Sequence, residues 1–130
     1  MAKRILIVDD DTDFVEACQN MLEAAGYEVE CETAFENALD KIRETGPDLL
    51  LLDILMENKV IGFDIADAIS RDEKLRHIPV IFLTGYFRRS NTAERDNESL
   101  KRRGNVLSII DKPVKPNVLL EAIKQALETR

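Results

Sequence analysis

Short apolar runs alternate along this chain with longer segments whose apolar residues recur every three or four positions, and that alternation restricts the fold more than any single motif. Ile5-Leu6-Ile7-Val8 is a run stopped by acids. Phe14, Val15, Cys18, Met21, Leu22 and Ala25 follow at helical spacing, with Gly26 as the stop. Tyr27 to Cys31 alternates apolar with Glu, as a strand exposed on one side does. Thr33 and Glu36 then have the spacing of a capping box for a helix carrying Phe35, Ala38, Leu39 and Ile42, ended by Gly46-Pro47. Leu49 to Leu52 is short enough, between Gly46-Pro47-Asp48 and Asp53, to be a buried strand. A third helix opens at Gly62 and carries Phe63, Ala66 and Ile69. Val80 to Leu83 and Val106 to Ile110 read as the fourth and fifth strands. Pro116 occupies a first helical position before Leu119, Leu120, Ile123 and Leu127.

Strand-helix alternation of this kind builds a (βα)₅ domain around a parallel sheet. Strands one, three, four and five are apolar enough for burial on both faces, whereas the alternating second strand belongs near an edge. A doubly wound order of 2-1-3-4-5 follows. Ligands of such sheets sit beyond the carboxyl ends of the strands, where the order reverses between strands one and three.

Each central strand delivers a polar residue to that edge: Asp9, Asp10 and Asp11 after the first, Asp53 after the third, Thr84 after the fourth and Lys112 after the fifth. Taken singly these are ordinary residues, since Asp caps helices and Thr-Gly and Lys-Pro make turns. Their convergence is another matter. Two carboxylates about 4 Å apart repel by about 4 kcal/mol at an effective dielectric near 20, so a cluster of three demands a cation or protons. Oxygen ligands with room for water and phosphate suit Mg²⁺. With Mg²⁺ and the Lys112 ammonium opposing three carboxylates, the site can admit a phosphoryl group, with Asp53 as nucleophile.

The 130 residues and 45% hydrophobic content fit one domain, expected over residues 1–130 with no output domain. A net charge of -7 argues against direct binding to nucleic acid or an anionic membrane. No apolar stretch reaches the length of a signal-peptide core or a membrane span, so a cytoplasmic location is expected. Cys18 and Cys31 lie on apolar-periodic segments without a Cys-x-x-Cys pair and read as buried free thiols, and His77 reads as a loop or strand-entry residue.

The segments Ile5-Leu6-Ile7-Val8-Asp9-Asp10-Asp11, Leu51-Leu52-Asp53-Ile54-Leu55-Met56, Phe82-Leu83-Thr84-Gly85 and Asp111-Lys112-Pro113 together resemble the response-regulator receiver family of two-component systems, in particular its single-domain, chemotaxis-regulator-like members. The resemblance implies a flavodoxin-like three-layer sandwich. It also implies phosphoryl transfer to Asp53 from a histidine kinase, a phosphotransfer protein or a small donor such as acetyl phosphate. Mg²⁺ would be held by Asp10, Asp53 and the Leu55 carbonyl, with Asp9 acting through a water, while Thr84 and Lys112 bind phosphoryl oxygens. The Lys112-Pro113 bond is expected to be cis, aiming Lys112 into the site. Such a domain receives a phosphoryl group rather than turning over a substrate, and it signals by docking to a downstream protein. Leu55 and Tyr86 stand where the family controls water access to the phosphorus, and neither orients a water well, so slow self-dephosphorylation is expected.

The chain departs from the family pattern in several places. Ile109 occupies a position that is often aromatic, Glu57 replaces the usual Pro, Gly62 comes late, and the stretch from Thr84 to Lys112 is long. Within that stretch, Tyr86 to Gly104 is locally basic and is expected to form a loosely packed loop and helix that meets an acidic partner. A haloacid-dehalogenase-type phosphatase would need an acid where Leu55 stands, and a nucleotide or flavin binder would find its phosphate repelled by Asp9 to Asp11. The remaining alternative is a degenerate receiver that acts as a phosphorylation-independent interaction module.

Overall fold

The computed structural model describes residues 2–56, 59–60, 62–85 and 106–128. Its main sheet has five parallel strands, β1 (Arg4–Val8), β2 (Glu28–Glu32), β3 (Leu49–Leu52), β6 (Val80–Thr84) and β7 (Val106–Asp111). Their order is β2-β1-β3-β6-β7, the doubly wound arrangement expected from the sequence. A small antiparallel pair, β4 (Leu55–Met56) and β5 (Lys59–Val60), lies between β3 and the third helix. The described helices are α1 (Thr12–Ala24), α2 (Ala38–Thr45), α3 (Gly62–Arg71) and α4 (Pro116–Glu128). The basic stretch from Tyr86 to Gly104, with its expected helix, lies outside the described residues. None of the described helices is long and apolar enough to cross a membrane.

Alternation along the strands divides the core in two. Leu6 and Val8, Leu50 and Leu52, and Val80 and Phe82 pack with Ala38, Ile42, Ile65, Ala66 and Ile69 of α2 and α3. Their neighbours Ile5, Ile7, Leu49, Leu51, Ile81 and Leu83 pack with Val15, Cys18 and Leu22 of α1 and Leu119, Ile123 and Ala126 of α4. A run that is apolar at every position therefore marks a strand covered on both faces.

Three local features differ from expectation. Thr33 and Glu36 form no capping box: a 3-10 turn at Phe35–Asn37 precedes α2 without a side-chain cap, and the Glu32 carboxylate instead accepts the Ala34 N–H at 3.0 Å. The late arrival of Gly62 is accommodated by the β4–β5 pair, whose two-residue strands carry no periodic signal. β7 is not buried on both faces, because it is an edge strand with a register shift that leaves Leu107 44% exposed.

Both cysteines are free thiols, Cys18 buried as expected and Cys31, on the edge strand β2, only partly buried. Burial, reinforced by Cys31 and Asp9, pushes the Cys18 thiol up to about 12, so it stays protonated throughout the neutral range. Cys31 is also raised, first by burial and then by nearby glutamates. Native Cys18 should therefore react with iodoacetamide at pH 8 on the order of a thousandfold more slowly than an unfolded cysteine. Peptide mass mapping of a labelling time course measures this, and modification at the rate of a free thiol would contradict it.

Candidate phosphoacceptor site

The register of the sheet assembles the site. Val8 lies opposite Leu52, and the Asp53 N–H donates to the Val8 carbonyl at 3.0 Å, so Asp9 and Asp53 leave their strands side by side. Thr84 lies opposite Asp111, which brings the end of β6 next to Lys112. The Thr84 side chain and all of Tyr86 fall outside the described residues. The Lys112-Pro113 peptide is cis, as expected from the sequence.

Lys112 Nζ lies 2.6 Å from Asp9 Oδ2 and 3.5 Å from Asp53 Oδ2, a strong charge-assisted hydrogen bond and a looser ion pair. The second Asp53 oxygen, Oδ1, accepts the Leu55 N–H at 3.2 Å, which fixes the carboxylate plane and leaves Oδ2 on the lysine side. Asp9 and Asp53 are buried while Asp10 is exposed, and one oxygen from each lies within 4.8 Å of the others. Asp11, which the sequence grouped with them, plays a different part, because its Oδ1 accepts the Phe14 N–H at 3.1 Å and caps α1.

Burial holds the Asp9 carboxyl above its ordinary value, and the hydrogen bond and charge of Lys112 offset this only in part. Burial works against the Lys112 ammonium too, but Asp9, Asp53 and Asp11 outweigh it and the net shift is upward. The lysine therefore remains charged while the site stays short of positive charge. A cluster of hard carboxylate oxygens, two buried and one open to solvent, fits a small divalent cation such as Mg²⁺.

Two residues that sequence reasoning assigned to packing or punctuation also bear on the site. Gly62 donates its N–H to the Ile54 carbonyl at 2.8 Å, and a Cβ there would lie 2.5 Å from the Asp53 carbonyl oxygen and from Ile54 Cα. Only its lateness hinted at this. Phe14 presents its ring to Lys112 Nζ at 4.4 Å, a contact that helical periodicity does not reveal. Ile109, opposite Phe82 in the sheet, packs partly buried against the α2–α3 side of the core.

Comparison with known proteins identifies the family and the fold. The family model of the response regulator receiver domain matches residues 5–124. The polar-differentiation response regulator DivK of Brucella ovis is 35% identical over 127 residues, covering 98% of each chain. The CheY-like receiver domain protein of Methanospirillum hungatei superposes with a TM-score of 0.83 at 32% identity, covering 99% of this chain and 96% of its own. CheY4 of Vibrio cholerae gives a TM-score of 0.83 at 25% identity, covering 98% of this chain and 100% of its own. With its doubly wound sheet, its acidic strand ends and its lysine between two carboxylates, the chain belongs to the response regulator receiver family of two-component signalling.

Proposed function

We propose that Asp53 is the phosphoacceptor, taking a phosphoryl group from a sensor histidine kinase, a phosphotransfer protein or a small donor such as acetyl phosphate. The observation that carries this reading is the lysine shared by two buried carboxylates, each of which has its other oxygen tied to a backbone N–H. Asp10, Asp53 and the Leu55 carbonyl would hold Mg²⁺, with Asp9 acting through a water. Bound there, the cation would neutralise charge on the carboxylates and the incoming phosphoryl group. Phosphoryl transfer asks chiefly for positioning and charge compensation, and the residues supply both. Asp53 Oδ2 faces the ammonium, so the nucleophilic oxygen and the group that receives negative charge are adjacent before the donor arrives. Lys112 and the Thr84 hydroxyl then bind phosphoryl oxygens, and conversion of the Asp53 carboxylate into a more negatively charged acyl phosphate alters the docking surface presented to a downstream protein.

Incubation with acetyl phosphate should add about 80 Da in Mg²⁺ and nothing in EDTA. Equal adduct in both would overturn the metal's part, and none in either would indicate a degenerate receiver. The lifetime of the adduct depends on water reaching the phosphorus. Leu55 is half-buried at the start of β4, beside Asp53, and offers no side-chain hydrogen bond to water. Replacing Leu55 by Asn together with Tyr86 by Glu should speed phosphate loss about tenfold, equivalent to about 1.4 kcal/mol of barrier. Decay at the parent rate would show that these side chains do not gate the water.

A further inference from the structure

Lys112, Asp9, Asp11 and Phe14 form a closed circuit of contacts. Asp9 Oδ2 holds the ammonium at 2.6 Å and Asp9 Oδ1 accepts the Asp11 N–H at 2.9 Å. The Asp11 carboxylate in turn accepts the Phe14 N–H at 3.1 Å, and the Phe14 ring returns to the ammonium at 4.4 Å from its centroid. The ring also packs against the α1–α4 side of the core, so it lies between apolar side chains and the ammonium. Phe14 is half-buried and borders a cavity of about 330 Å³, lined also by Ala17, Cys18, Met21, Val114 and Leu119.

We propose that Phe14 is a positioning residue for phosphoryl transfer: its π face holds the Lys112 ammonium at the mouth of the site, and the Asp11 cap sets where that face stands. This rests on the reading that Lys112 meets the phosphoryl group. The negative face of an aromatic ring attracts an ammonium without accepting its protons, so the ring restrains Lys112 while leaving its N–H donors for oxygen. A carboxylate in the same place would compete with the phosphoryl oxygens for those donors. Because α1 begins at this cap, the first turn of a helix becomes part of the geometry at the end of β7.

The inference is tested by a series in which Phe14 is replaced by mono-, tri- and pentafluorophenylalanine, which keep the ring's shape while removing its negative face. Adduct formation from acetyl phosphate in Mg²⁺ is followed by mass spectrometry. The rate should fall stepwise, by about fivefold across the series, with the melting temperature unchanged. Phe14→Leu should be slowed similarly, and Phe14→Tyr, which keeps the ring's negative face, should keep the parental rate. A flat series alongside a slowed Lys112→Ala would overturn the role of Phe14 and leave that of Lys112 standing. A parental rate in Lys112→Ala would overturn the underlying reading and the inference with it.

Discussion

Gly62→Ala should both destabilise the domain and slow phosphorylation, although position 62 carries no side chain and no charge. A Cβ would meet the Asp53 carbonyl oxygen and Ile54 Cα at 2.5 Å, and both are backbone atoms that cannot swing aside. The N–H of the same residue is tied to the Ile54 carbonyl at 2.8 Å, so the start of α3 is unable to retreat without breaking that bond. Overpacking of this kind costs about 2 kcal/mol, which for a domain of this size lowers the melting temperature by about 8 °C. Whatever relaxation occurs moves the peptide that carries Asp53, and a displacement near 1 Å of a reacting group costs on the order of a hundredfold in rate. Calorimetry and the rate of adduct formation measure the two effects separately. A variant that melts and phosphorylates like the parent would show that the loop has slack.

Lys112→Ala should have the second large effect, and its pH dependence identifies the cause. The Asp9 side chain is 2% exposed and its partner lies 2.6 Å away, so removing the amine leaves a buried carboxylate without its cation. In EDTA at neutral pH this should cost about 3 kcal/mol, and added Mg²⁺ should recover much of it while phosphorylation stays impaired. Asp9 has a raised carboxyl in the parent, meaning that the folded state holds that proton more tightly than the unfolded chain. Stability linked to Asp9 is therefore greatest below the ordinary carboxylate range and falls as pH rises through the raised value. The lysine itself is shifted upward as well. Its contribution is complete below the ordinary lysine value of 10.5 and is lost as pH rises through the still higher folded value. Without Lys112 the Asp9 carboxyl should rise further, so the loss of stability in the acid range moves to higher pH, and the alkaline loss disappears. Denaturant titrations across pH in EDTA give both limbs. Superimposable profiles for parent and variant would contradict the pairing.

Much of this architecture was readable from residue order because its strands are covered on both faces. Leu49 to Leu52 and Ile5 to Val8 could be strands of a parallel sheet only if helices lay above and below them, and the helical segments between them supplied those layers. The acids at their ends pointed to the site, since adjacent parallel strands place their carboxyl ends on one edge. What was not readable depends on contacts between distant segments or on elements too short to show a period. Val106-Leu107-Ser108-Ile109-Ile110 reads as a plain apolar strand, and nothing in it signals the shift that turns Leu107 outward. The Thr33–Glu36 spacing suggested a cap, but Glu32, one residue upstream, made the competing local hydrogen bond. Phe14 has the spacing of a core residue and its neighbour Val15 is one, so its contact with Lys112, separated by nearly the whole chain, left no local trace. Gly62 could be read as a helix start but not as a steric limit on Asp53.

The most direct measurement is peptide-level mass spectrometry of the parent chain and of Asp53→Asn after incubation with acetyl phosphate and Mg²⁺. Asparagine keeps the size of the side chain and removes the carboxylate proposed as the nucleophile, so the comparison isolates the chemistry from the fold. An addition of about 80 Da on the parent peptide that contains Asp53, with none on the variant, is the predicted result. A parental level of adduct on Asp53→Asn, or an adduct that maps to another residue, would contradict it.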